Sequence, residues 1–272
     1  SAFLGAECIL QGGETRNRST GRRIKAILPV HILGHPVDMG PLINLARSHG
    51  IAVVEDATES LGAKYRGKMT GNIGDLGCLS FNGNKLITTG GGGMVVTNSL
   101  EYADRARHLA TQSKIDPIEY VHDEIGYNYR ISDIQCALGL SQLAKIDRFI
   151  LRRRELVRTY DKEFAKMPHC KPAQMVGRDK SANHIYVLRI NFEKLGMSRQ
   201  RFMQELNEKG IGTQVHYIPV PMHPKYRQLG HNAYKYYNAM EYYNEAISIP
   251  LYYSLSDSEQ AQVITTIKKL LG

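Results

Sequence analysis

Residues Asp75 to Thr97 read DLGCLSFNGNKLITTGGGGMVVT, and the fold turns on how this stretch is parsed. Leu76 to Phe81 is an apolar run of strand length, stopped by the turn signal Asn82-Gly83-Asn84. The turn presents one lysine, Lys85. Thr88, Thr89 and four glycines, Gly90 to Gly93, follow before Met94-Val95-Val96 resumes a strand pattern. A lysine on a tight turn, close to a serine and covered by glycine-rich backbone, can be partly desolvated. Burial disfavours its ammonium form, and the free amine is a nucleophile toward carbonyls. The same pattern also suits an ordinary hairpin with a surface lysine.

Upstream, Ala52-Val53-Val54-Glu55-Asp56-Ala57 is an apolar run ending in acids. A buried parallel strand reads this way when its carboxyl end lines a crevice. A carboxylate at that place can keep a heterocyclic nitrogen protonated, which pyridoxal phosphate (PLP) requires to act as an electron sink. The bland reading is a carboxylate that caps the next turn.

EDATES (residues 55–60), GDLGCLSFNGNK (74–85), TTGGGGMVVT (88–97) and GYNYRISDIQCALGLSQL (126–143) together resemble the DegT/DnrJ/EryC1/StrS sugar-nucleotide aminotransferases, from about Ile24 to the C-terminus. The SFNGNKLITTGGGG form is most similar to the branch that aminates UDP-4-keto-6-deoxy-N-acetylhexosamines, as in bacillosamine and legionaminic acid synthesis. The resemblance implies an α/β PLP-dependent transferase of the aspartate-aminotransferase-like fold type I. Residues 1–150 would form the PLP-binding large domain with a mostly parallel sheet, and residues 151–272 a linking helix and a small α+β domain. It also implies an N-terminally truncated large domain, because relatives carry roughly a hundred residues before this point, including a turn that grips the cofactor phosphate.

For the site, the resemblance implies that Lys85 carries PLP as a Schiff base and relays the proton once released, and that Asp56 holds the ring nitrogen. Ser80 matches the family's cofactor-phosphate serine, against a plain strand serine. Glu59 stands where the family often has Gln or His near the cofactor ring. Asn128 matches an asparagine that reaches the partner subunit's cofactor phosphate, and Arg130 is placed to serve the same anion or the sugar nucleotide. His216 and Tyr217, with Pro219, resemble the segment that lines the sugar pocket, against a core pair. The implied reaction is amino transfer from glutamate to the C4 ketone of a UDP-linked keto-sugar by a homodimer with shared active sites. Two alternatives stay open, a PLP-dependent sugar dehydratase of the same family and a non-catalytic binding or oligomerisation partner. The lysine favours transamination, since dehydrating relatives carry histidine there.

At 272 residues the chain suits one large plus one small domain. The net charge of +9 would suit a nucleic-acid binder, but also an enzyme of a diphosphate-bearing substrate. The densest basic run, Arg152-Arg153-Arg154, has no interleaved aromatics for base stacking and reads as a solvated helix face, so nucleic acid is not expected. No apolar stretch approaches the length of a membrane span. Cys8, Cys78, Cys136 and Cys170 lack CxxC spacing, which favours reduced thiols in the cytoplasm over a disulfide framework. His31, His35, His223 and His231 have no metal spacing, and no metal is expected.

In order, Ala2 to Cys8 reads as a helix end, Gly12 to Arg23 as a loop and Ile24 to His31 as a strand. Asp38 reads as the cap of a helix stopped by Gly50. Asn98 with Glu101 reads as the cap of a helix to about Lys114, followed by loop to 130. A helical pattern with a break runs from Ile131 to Lys166. Strands at 185–190 and 211–217, a helix from Arg199 to Lys209 and a closing helix capped by Ser256 and Glu259 complete the pattern.

Overall fold

The computed structural model describes residues 2–172 and 180–272, and the chain divides into two compact units. Of the described residues, the first comprises 2–149 with 180–184, the second 150–172 with 185–272.

The first unit opens with α1 (Ala2–Glu7), then the hairpin β1 (Cys8–Gln11) and β2 (Glu14–Asn17), joined at Gly12-Gly13. Part of the expected loop is therefore paired, because two adjacent glycines at positive φ make a tight turn. β3 is only Ala26–Ile27, with a separate parallel bridge from Val30 to Asp56. The expected strand from 24 to 31 is broken at Pro29, which has no N–H for a ladder. α2 (Met39–Ser48) follows, but Asp38 does not cap it; its carboxylate accepts from Tyr65 Oη instead.

β4 (Ala52–Asp56), the small hairpin β5 (Lys64–Tyr65) and β6 (Lys68–Met69), β7 (Leu76–Ser80) and β8 (Gly93–Val96) come next. The main sheet has the order β3-β4-β7-β8; its first three strands are parallel and β8 is antiparallel to β7. The register sets Glu55 opposite Gly77 and Asp56 opposite Cys78. Beneath it, Leu4, Met39, Ala46, Ile51 and Val53 form a buried cluster.

α3 (Leu100–Ala110) is capped by Ser99, whose side chain accepts from the Tyr102 N–H, not by Asn98. It ends before β9 (Lys114–Asp116), which pairs with β10 (Val121–His122) inside the segment expected as helix end and loop. α4 (Asp133–Leu143) starts at a Ser132/Gln135 capping box. Ala144 and Lys145 supply the expected break before α5 (Ile146–Phe164), which carries the chain into the second unit.

The second unit continues with β11 (Cys170–Pro172), β12 (Tyr186–Ile190), α6 (Phe192–Leu195), α7 (Arg199–Glu208), β13 (Gln214–Val215), α8 (Pro224–Gln228), α9 (Tyr237–Glu245), β14 (Ala246–Ile249) and α10 (Asp257–Leu271). Its antiparallel sheet, β11-β12-β14-β13, packs with Leu156, Tyr160 and Phe164 of α5, Phe202 and Leu206 of α7, and Val263 and Ile267 of α10 into one core. The expected strand from 211 to 217 shrinks to Gln214–Val215, while the Ser256/Glu259 capping box forms as the sequence suggests.

The basic run is not a solvated face. Arg153 is buried and donates to the Leu251 carbonyl at 3.0 Å; Arg152 donates to the Leu255 carbonyl and pairs with Asp257, each at 2.7 Å. Burial alone lowers the Arg153 pKa to about 10. The two arginines clamp α5 onto the 251–257 segment, because a long aliphatic stem lets a helical arginine reach a distant carbonyl.

Candidate active site

Lys85 sits at the tip of a loop that closes on its own strand. The Phe81 N–H donates to the Gly92 carbonyl, and the Phe81 carbonyl accepts from the Thr89 N–H, both at 3.0 Å. Within the loop the Lys85 N–H donates to the Asn82 carbonyl. Phe81, Ile87 and Phe149 form a small core with Leu61, Leu79, Leu86 and Ile131, so the residues just after Lys85 are anchored. α4 braces the other side. The Gln142 side chain accepts from the Thr88 N–H, and the Gln135 amide donates to the Thr89 carbonyl. The loop thus holds a lysine whose side chain is only 15% exposed.

Glu59 faces it. Its Oε1 lies 3.7 Å from Lys85 Nζ, an ion pair rather than a hydrogen bond. Its Oε2 accepts the Leu33 N–H at 2.7 Å.

Asp56 ends β4 on the strand face opposite to Glu55, as alternation requires. Its Oδ1 accepts from both the N–H and the hydroxyl of Thr58, at 3.1 and 2.7 Å. Oδ2 makes no hydrogen bond among the described residues. The cap reading holds through Oδ1, and Oδ2 is left open to a further donor. Burial, and then the Asp56 charge, push the Cys78 thiol up.

Ser80 ends β7, with its hydroxyl 3.4 Å from the Asn82 N–H. Asn128 and Arg130 are exposed on a segment that pairs with the end of α3, through Tyr127 to Leu109 and Tyr129 to Ala110. Arg130 lines a cavity of about 1060 Å³ with Leu79, Gly92, Met94 and Tyr127; Lys85, Asp56 and Ser80 do not line it. His216 and Tyr217 belong to the second unit. His216 is buried against Tyr242, while Tyr217 is exposed.

Glu55, read only as one of two strand-end acids, is wholly buried. Its Oε2 accepts from His31 Nε2 and the Gly71 N–H, both at 2.9 Å, and its Oε1 from the Ile73 and Gly74 N–H groups, both at 2.6 Å. His31 Nδ1 accepts the Val37 N–H at 3.0 Å. The ring is therefore the neutral tautomer with its proton on Nε2. Burial by itself would raise the Glu55 pKa, but the His31 bond and three backbone N–H donors outweigh it and hold the carboxyl below the usual range. Nothing in local periodicity marks this group; the adjacent acids alone hinted that one of them faces inward.

Among the described residues, His108, Asp123 and Glu124 bring three metal-capable groups together. His108 Nε2 is already 2.8 Å from Asp123 Oδ1 and Arg105 pairs with Glu124, so the cluster braces α3 against the 121–124 segment.

The donor set fits PLP. An amine on a fixed loop, a carboxylate with one uncommitted oxygen and a strand-end hydroxyl are the groups that a pyridine aldehyde with a phosphate needs. Gly83, Gly90 and Gly91 leave open space along the Lys85 loop, since a Cβ at any of the three would meet no atom within 4 Å.

A sequence profile of the DegT/DnrJ/EryC1/StrS aminotransferases matches residues 14–268. The chain is 36% identical to the GDP-perosamine synthase of Escherichia coli O157:H7 over 247 residues, 91% of this chain and 66% of that protein. It is 33% identical over 260 residues to the UDP-4-amino-4,6-dideoxy-N-acetyl-beta-L-altrosamine transaminase of Campylobacter jejuni, covering 95% and 69%. Helicobacter pylori PseC, an aminotransferase of pseudaminic acid biosynthesis, superposes with a TM-score of 0.83 at 30% identity, covering 91% and 67% of the two chains. The chain thus spans about two thirds of the length of these relatives.

Proposed function

We propose, since the chain belongs to the DegT/DnrJ/EryC1/StrS aminotransferase family of PLP-dependent sugar-nucleotide aminotransferases, that it moves an amino group from glutamate to the C4 ketone of a UDP-linked 4-keto-6-deoxy-N-acetylhexosamine. The observation that carries this reading is Lys85, shielded, held on a closed loop and paired with Glu59, three residues beyond the carboxyl end of β4. PLP, when bound, supplies the electron sink that makes a proton on the carbon next to nitrogen removable. The chain's own groups do the rest. Lys85 Nζ would hold the cofactor covalently, and as a free amine would be the group that moves the proton. Asp56 Oδ2 keeps the ring nitrogen protonated, with Thr58 fixing the other oxygen. Ser80, and Asn128 from a second copy, hold the phosphate; Arg130, His216 and Tyr217 belong to the sugar-nucleotide side. The N-acetylated, UDP-linked substrate finds support in the name of the Campylobacter relative, and the GDP-linked name of the Escherichia relative makes the nucleotide the point to test.

A homodimer with shared sites is part of the reading. α4 is rich in apolar residues yet buries none of them within this chain; Ile134 is 85% exposed, and nearby Tyr129 76%. Apolar side chains left open along a helix are stable when covered. Asn128 and Arg130 precede it directly, where a second copy on α4 would bring them to the other site.

Borohydride reduction of the PLP-treated chain followed by peptide mapping tests the core of the reading, with the label expected on Lys85. Incubation with glutamate and UDP- or GDP-linked keto-sugars should release 2-oxoglutarate, fastest with the UDP-linked N-acetyl sugar. A label on another lysine, or loss of water from the sugar with no glutamate consumed, overturns it.

A further inference from the structure

We propose that Glu59 is a positioning residue for Lys85, the carboxylate at which the lysine ammonium docks whenever its amine is not bonded to the cofactor. The inference rests on the reading of Lys85 given above. The pair is shielded, with 15% and 17% of the two side chains exposed and 3.7 Å between Nζ and Oε1. An ion pair removed from most of the solvent is screened less than one on the surface.

The carboxylate is itself held by the backbone. Its Oε2 is tied to the Leu33 N–H, and Leu33 has φ 59, a left-handed backbone that leucine rarely adopts. A conformation of this kind persists only where its surroundings enforce it. Here the segment 181–184 does so from behind. The His184 N–H donates to the Leu33 carbonyl at 3.0 Å, and the Gly34 carbonyl accepts from the Ala182 N–H at 2.9 Å and the Ser181 hydroxyl at 2.8 Å. A Cβ on Gly34 would lie 2.9 Å from the His184 nitrogen, so the contact is as close as backbone allows. With one oxygen fixed, Oε1 is presented to Lys85; His184 Nε2, at 4.0 Å, is its other charged or titratable neighbour among the described residues.

A lysine side chain has four rotatable bonds, and a fixed anion at its tip selects one arrangement among many. Glu59 therefore keeps the released amine within the site, where it must return to move the proton.

Trace acetylation of the 272-residue chain with acetic anhydride, read by mass spectrometry, tests the docking without any turnover. Lys85 is compared with the exposed Lys64 and Lys68 of the same molecule. Glu59→Gln keeps the shape and an acceptor for the Leu33 N–H but removes the charge. Lys85 labelling should then rise about threefold or more against the two references. Glu59→Asp keeps the charge but withdraws it by one methylene, and should give a smaller rise. A purely structural Glu59 predicts the reverse order, with the isosteric Gln harmless. Unchanged Lys85 labelling in Glu59→Gln overturns the proposal. Borohydride mapping on the same samples separates the two layers. A label on Lys85 with unchanged acetylation sinks the docking alone, whereas a label on another lysine removes the catalytic purpose of docking whatever the acetylation shows.

Discussion

Replacing Glu55 with glutamine sets a neutral amide of nearly the same shape into a site built for an anion. Four donors converge on the carboxylate, two on each oxygen: His31 Nε2 and the Gly71 N–H on one, the Ile73 and Gly74 N–H groups on the other. Whichever way the amide turns, its oxygen keeps two donors and its NH2 faces the other two. None of them can become an acceptor. The three backbone groups have no choice, and His31 has its acceptor nitrogen committed to the Val37 N–H. Two bonds to a charged group are lost, at about 1.5–3 kcal/mol each, so Glu55→Gln should cost about 3–6 kcal/mol. That is a large part of the stability of a typical domain. With two units in the chain, a single melting curve can mix two transitions, so the assay is hydrogen exchange at the Gly71, Ile73 and Gly74 amides alongside urea unfolding. Exchange at these amides should accelerate by at least about a hundredfold, which corresponds to 2.7 kcal/mol. A stability change below about 1 kcal/mol with unaltered exchange would refute the argument that an anion is required there. The pH dependence has a definite sign. The folded carboxyl is held below the ordinary glutamate value of 4.5, so this contribution is fully present above pH 4.5 and is lost as pH falls through the lower folded value.

Asp56→Asn should leave the fold and PLP binding intact while cutting turnover by orders of magnitude, because an amide no longer holds the ring proton; wild-type turnover would reject the role. Gly77→Ala places a Cβ 2.0 Å from the Gly71 carbonyl oxygen and should destabilise the first unit by about 3 kcal/mol, read by urea unfolding, since both partners are backbone and neither can swing aside. PLP affinity should rise with protein concentration as copies associate, and sedimentation at graded concentrations with and without PLP checks this; a monomer that binds PLP equally well at every dilution would contradict the shared site.

By itself the sequence determined the elements whose signals are local. The turn after Leu76–Phe81, the lysine on it and the strand-end carboxylate at Asp56 are all where the residue pattern puts them, and the Ser256/Glu259 cap follows from spacing alone, whereas the place of the helix break, at 144–145, came only from the structure. The motifs around them were also specific enough to place the chain in its family. What only the tertiary structure decided are contacts between residues far apart in the chain. The His31–Glu55 bond spans 24 positions, the Leu33–Glu59 bond 26 and the Ser181–Gly34 bond 147. Each joins a polar group to a partner chosen by packing, and helical or strand periodicity carries no information about that choice. The same cause misled the reading of Arg153. A charge run on an amphipathic helix reads as solvated, and only tertiary partners such as the Leu251 carbonyl, 98 positions away, made burial of that guanidinium favourable.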